Sequence, residues 1–239
     1  MQNEHTFDIV RTVSVAAPLT GEPLSPRGVD PRLAARIRPT SSSRDQRLAV
    51  LPALTRLLPG DGLQRGTVVA VSGAPGSGVT TLALALIAAA TEAGAWAAAV
   101  ALPDLGAVAA ADIGIDLEHL LLIAHPGLRW AEVTAACLEG VDVVLLRPPV
   151  AVGDGVARRL ASRARERRTV LVTVGGRKPW PGADIRLEVE NATWTGITRG
   201  HGHLERRRAQ VVVSGRREAA RRVAMSLWLP ASSGVIAVE

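Results

Sequence analysis

The sequence predicts an α/β domain with a mostly parallel central sheet, helices on both faces and an antiparallel extension at its C-terminal end. Three observations carry this. Short aliphatic runs alternate with alanine- and leucine-rich helical segments between positions 67 and 176. The strand runs are apolar without interruption, as strands covered on both faces must be. After position 184 the alternation stops, and three strand-like runs follow with no helix between them.

Residues 1–44 are rich in Pro, Ser, Thr and Arg and lack a sustained apolar period, which predicts a flexible N-terminal arm; residues 45–239 make up the core domain. In RLAVLPALTRLLPG (47–60) leucines recur at helical spacing, predicting a short helix that Pro59-Gly60 stops and Pro52 divides. TVVAVSG reads as a buried strand, and TLALALIAAATEAGA as a helix closed by Gly94. WAAAVAL, LLLIAHP, VDVVLLRPP and TVLVTVGG then read as strands, separated by the helices GAVAAADIGI, RWAEVTAACLEG and GVARRLASRARERR. DIRLEVE, RRAQVVVSG and RRVAMSLWLP predict short strands joined by turns.

Composition narrows the function classes. The single Cys137 cannot form an internal disulfide, and Met1–Phe7 lacks the charged and apolar regions of a secretory leader, so a cytoplasmic protein is expected. The longest apolar stretch, Leu82–Ala90, is far short of the roughly 20 residues a membrane span needs. The net charge is +6, almost wholly from arginine, since Lys178 is the one lysine. An arginine surface suits nucleic acid or an acidic protein partner. His201 and His203 lack further ligands at useful spacing, and no metal site is expected.

GAPGSGVTT (73–81) joins the first parallel strand to its helix. Gly73, Gly78 and Thr80 stand where the phosphate-cradling pattern G-x-x-x-x-G-K-[ST] wants them, and Thr81 follows. Position 79, the lysine of that pattern, is Val79. A valine cannot imitate a mobile cation reaching phosphate oxygens, so the glycines are expected to keep a tight turn while the threonines cap the helix.

The run GDGLQRGTVVAVSGAPGSGVTTLALALIAAATEAGAWAAAVAL resembles the nucleotide-binding opening of RecA recombinases; GIDLEHLLLIAHP and VDVVLLRPP are similar to that family's next strands, and RRRAQVVVSGRREAARRVAMSLWLP to its closing antiparallel ones. The resemblance covers residues 46–235 and implies a RecA-like phosphate-loop core. Carried over residue by residue, it implies lost chemistry. Arg147 stands where an aspartate would position Mg²⁺, and a cation there repels the metal. Leu102 matches the general base, with Asp104 two residues on, and Gly175-Gly176 fill the place of the nucleotide-sensing residue. The expectation is a pseudo-ATPase with no catalytic residues, cofactor or metal. The alternative is that Arg147 takes over the lysine's role, so that a nucleotide still binds along Gly73, Gly78, Val79, Thr80 and Thr81.

The mobile DNA loops of RecA proteins shrink here to PPVAVGDG and GGRKPWPGAD. What remains for DNA or partner contact is Arg177 and Lys178 with Trp180, which could stack a base; Trp194 in a glycine-rich loop; and Arg206, Arg207 and Arg208. Arg158, Arg159, Arg163, Arg165, Arg167 and Arg168 add a basic helix, and Trp96, Trp130 and Trp228 are expected between layers. A degenerate RecA-like chain with short DNA loops and a polar arm resembles the actinobacterial ImuA-prime family. That resemblance implies a non-catalytic role in damage-induced SOS mutagenesis. Its partners would be an ImuB-like Y-family polymerase homologue and, through it, an error-prone C-family polymerase and the sliding clamp, with weak DNA binding possible and no membrane. The competing readings are a nucleotide-binding RecA paralogue acting on DNA and a SulA-type cell-division inhibitor.

Overall fold

Six parallel strands frame the molecule; the inner ones are buried on both faces, whereas Leu121 and Leu122 on the edge strand are exposed, which corrects the expectation that every parallel strand is covered. The computed structural model describes residues 46–175, 180–198, 201–216, 222–231, 234 and 236–239. The expected arm, 1–44, lies outside them, as do Arg177 and Lys178.

The chain enters through β1 (Arg47–Leu48), α1 (Pro52–Thr55), a 3₁₀ turn and β2 (Leu63–Gln64). This corrects the helix expected over 47–58. Leu51, forced extended by the proline after it (φ −57°, ψ 143°), cannot continue a helix, and Pro52 begins one instead of dividing it. Then come β3 (Val68–Gly73), α2 (Val79–Glu92), β4 (Ala97–Val100), α3 (Ala107–Ile113), β5 (Leu120–Ile123), α4 (Trp130–Gly140), β6 (Val143–Leu146), α5 (Asp154–Arg167) and β7 (Val170–Val174). The tail is β8 (Ile185–Thr198), β9 (His201–Gly215), β10 (Val223–Trp228) and β11 (Ala237–Val238).

Among the described residues one sheet has the order β11-β10-β9-β8-β3-β7-β6-β4-β5, parallel from β8 to β5 and antiparallel from β8 to β11. Val69 and Val71 of β3 face the layer made by Leu82, Leu86 and Ile87 of α2 with Ala110 of α3. Val68 and Ala70 face the opposite layer, with Trp130 and Leu138 of α4 and Leu160 and Ala164 of α5. One strand thus anchors two cores, and burial of its aliphatic side chains contributes roughly 1.5–3 kcal/mol each.

The tail departs from expectation in length. β8 and β9 are not short strands but a hairpin of 14 and 15 residues. Register shifts between Glu190 and Thr193 and between Thr195 and Ile197 let the pair pass through NATWTGIT, the segment expected as a loop. Gly196, with φ +106°, sits at the second shift. Trp130 is buried as expected, but Trp96 is exposed, edge-on to His119 at 5.2 Å, and Trp228 is half-buried. No helix among the described residues is long and apolar enough to cross a membrane.

Candidate functional site

β3 ends between β7 and β8, so the 74–78 turn opens at the carboxyl end of the sheet where the strand order reverses. Gly76 (φ +77°) and Gly78 (φ +105°) make the turn, and Gly78 caps α2. The first amides of α2 have no intrahelical acceptor, which makes this the positive end of the helix. Val79 is half-buried and packs on the α2 core layer. A cavity of about 640 Å³ opens in front, with Gly73, Thr80, Asp104, Arg147, Val174 and Arg207 among its walls.

Two guanidinium groups close on the turn from opposite sides. Arg147, just beyond β6, donates Nη2–H to Thr80 Oγ1 (2.8 Å) and Nη1–H to Asp104 Oδ1. Arg207, from β9, donates Nη1–H to the Gly76 carbonyl (2.8 Å) and Nη2–H to Thr81 Oγ1 (3.1 Å). A Cβ on Gly78 would lie 2.5 Å from Arg207 Nη2, so a side chain here would have to push the guanidinium aside as well as bear the positive φ. Arg207 is only 6% exposed, and burial pushes its guanidinium below the usual arginine range. Its Nε and the Ser77 hydroxyl are buried without a hydrogen-bond partner among the described residues. Trp194, its cross-strand neighbour in register, places its ring 4.7 Å from the Arg207 guanidinium carbon.

These contacts correct several expectations. Arg207 is no surface contact, but a strut between the hairpin and the turn. Arg206 and Arg208 point the other way: Arg206 stacks 4.3 Å over the Trp228 ring, and Arg208 pairs with Glu239 at 2.6 Å. Trp194 lies on β8 and not in a loop, still 38% exposed. Trp180, 5% exposed among Val68, Ala70 and Ala183, offers no face on which a base could stack. Leu102, at the matched base position, is fully buried, and Asp104 is committed to Arg147.

The inward role of Arg207 was missed because it sits in a run of three arginines, though a signal existed. Ala209, Val211 and Val213 face the α2 core layer, and the same parity carried back two residues turns Arg207 inward while its neighbours face out.

The arrangement tests a magnesium-nucleotide directly. In phosphate loops of this type the hydroxyl following the lysine position holds Mg²⁺. Here that hydroxyl, on Thr80, accepts from a guanidinium. A divalent ion at this point would meet Arg147, and the residues do not fit one. Among the described residues no cluster of three His, Cys, Asp or Glu is placed to hold a metal elsewhere.

The model of a family described as the MT3502 N-terminal domain matches residues 56–182, from just after α1 to beyond β7. The chain is 39% identical over 132 residues, 54% of its length, to the uncharacterized protein Rv3395c of Mycobacterium tuberculosis. That alignment spans 63% of the relative's length. The matched region contains the turn, Thr80, Thr81 and Arg147, and on this match the chain belongs to the MT3502 N-terminal domain family.

Proposed function

We propose that this protein is a non-catalytic, RecA-like accessory factor of the ImuA-prime type in damage-induced mutagenic translesion synthesis. It binds an ImuB-like Y-family polymerase homologue and, through it, an error-prone C-family polymerase and the sliding clamp. The carrying observation is the Arg147 guanidinium on the Thr80 hydroxyl, which puts a fixed cation where phosphoryl transfer needs a metal. Losing one preorganised charge costs roughly 10²–10³ in rate, and here the metal grip, the lysine and the base are missing together. A mostly parallel sheet without turnover keeps its outer surfaces for docking. The mycobacterial relative supports an actinobacterial setting.

Deleting 194–239 would be a poor test, because it removes β9 to β11 and the Arg207 strut and so unfolds the sheet edge. Trp194 and Leu204 are exposed on the β8–β9 hairpin and can be changed singly. Trp194→Ala and Leu204→Asp are expected to weaken co-purification with the ImuB-like partner at least tenfold, about 1.4 kcal/mol. No co-purification of the unaltered protein contradicts the reading. Unchanged affinity in both variants moves the docking surface off the hairpin.

One observation favours a second reading, a nucleotide-binding RecA paralogue. The cavity has two arginines and a helix N-terminus against one carboxylate, a balance that attracts anions. It predicts saturable ATP binding that Gly78→Asp abolishes.

A further inference from the structure

At the other end of β3, about 20 Å from the turn by strand rise, lies a second cleft of about 380 Å³, open to solvent. Three arginines reach it from three separate places: Arg65 from the segment before β3, Arg165 from the last turn of α5, and Arg216 from just past β9. Several arginines of this chain find carboxylates, Arg163 with Glu139 at 2.7 Å and Arg129 with Glu132 at 2.8 Å being examples. Here the balance fails. Arg65 pairs with Asp142 (2.7 Å), whereas among the described residues no carboxylate lies within ion-pair distance of Arg165 or Arg216. Asp184, the one acid in the walls, spends Oδ2 on the Val68 amide (3.0 Å) and gives its carbonyl to the Arg216 amide (2.9 Å).

The cleft floor is closely packed and cross-tied. Gly66, at φ +82°, lets its backbone press on the end of α5; a Cβ there would lie 3.3 Å from the Arg165 Cα. The Asp184–Val68 and Asp184–Arg216 bonds tie the starts of β8 and β3 to the end of β9. The basic line also continues outward. Arg158 stands seven residues before Arg165 on α5, two turns away on the same face and about 10 Å distant, and is exposed. Three arginines thus meet at the cleft and Arg158 carries the positive charge beyond it along α5, which suits a chain of phosphates better than a single small anion.

We infer that this cleft, with Arg165 and Arg216 as its uncommitted cations and Arg158 extending it, binds the phosphate backbone of a single nucleic-acid strand. The site lies at the amino ends of the parallel strands, away from the degenerate turn and at the base of the β8–β9 hairpin, not along its distal part where Trp194 and Leu204 lie. It stands apart from the partner proposal and survives that proposal's failure. Binding is by charge, without base readout, and so depends steeply on salt.

The test is fluorescence anisotropy of the full chain with a labelled oligothymidylate over a salt series. Arg165→Gln with Arg216→Gln is compared with Arg129→Gln with Arg222→Gln, which removes the same charge elsewhere. Each variant is first shown to unfold thermally as the unaltered protein does. Losing two phosphate contacts should lower the slope of log K against log salt by about 1.4, about 0.7 per contact on a single strand; the control pair should leave it unchanged. Equal losses in both pairs, or no binding by the unaltered protein, overturn the inference. So does inorganic pyrophosphate binding where the oligonucleotide does not, or an oligoglutamate of equal charge displacing the strand as well as an unlabelled oligonucleotide does.

Discussion

Arg207 shows at the level of one residue how the degenerate turn is kept in shape. A guanidinium this deeply desolvated is costly unless its donors are met, and the Gly76 carbonyl and Thr81 hydroxyl meet two of them. Arg207→Ala should cost about 1–3 kcal/mol by urea unfolding, because the Gly76 carbonyl and Thr81 hydroxyl lose their donor. Arg207→Met should cost less, since it keeps apolar volume without a buried charge. Gly78→Ala should cost a similar amount through its positive φ and its collision with Arg207, and less when combined with Arg207→Ala, because the two sites share a contact. Asp116 offers a pH test. Hydrogen bonds from the His119 ring and the Glu118 amide hold its carboxyl below the ordinary 3.8. A depressed carboxyl contributes stability above 3.8 that disappears as pH falls through the folded-state value. Asp116→Asn should flatten the acid limb of a stability–pH curve, and an unchanged limb would contradict this. Val79 was legible as a departure from the motif itself, and Arg147 as one implied by the RecA resemblance. Arg207 was not, because charge run together in sequence reads as surface until strand parity is applied.

Among the elements, those of the parallel half were legible because aliphatic runs and helical spacing agree there, as in β3, α2 and α5. The failures sit where the chain mixes signals. Leucines at 48, 51, 54 and 58 mimic a helix that Pro52 and the extended Leu51 interrupt. NATWTGIT reads as part of a glycine-rich loop, yet Asn191 and Gly196, both at positive φ, fall at bulges that absorb them without ending the hairpin. Gly196→Val should therefore break the distal hairpin: a Cβ would lie 2.1 Å from the His203 carbonyl. Faster amide exchange confined to residues beyond Thr195 and before Arg206 is expected, with β3 protection unchanged. The β3–turn–α2 unit carries its own prediction. Val79→Lys alone should not create ATP turnover, because Arg147 still occupies the Thr80 hydroxyl and Leu102 supplies no base.

For the whole molecule, a helix-flanked sheet and an arginine-closed turn leave a cleft whose walls are tied to one another. The same layers that make the core also enclose Leu102; Leu102→Ala should cost about 2–5 kcal/mol, and Leu102→Glu, meant to restore a base, should destabilise the fold through a buried unpaired carboxylate. The measurement that bears most directly on the proposed loss of nucleotide chemistry is calorimetric titration of the purified chain with ATP, in the presence and absence of Mg²⁺, with phosphate release followed in parallel. The expected result is no magnesium-dependent heat and release at the buffer rate. A saturable, magnesium-enhanced titration, or turnover that Arg147→Ala abolishes, would contradict it.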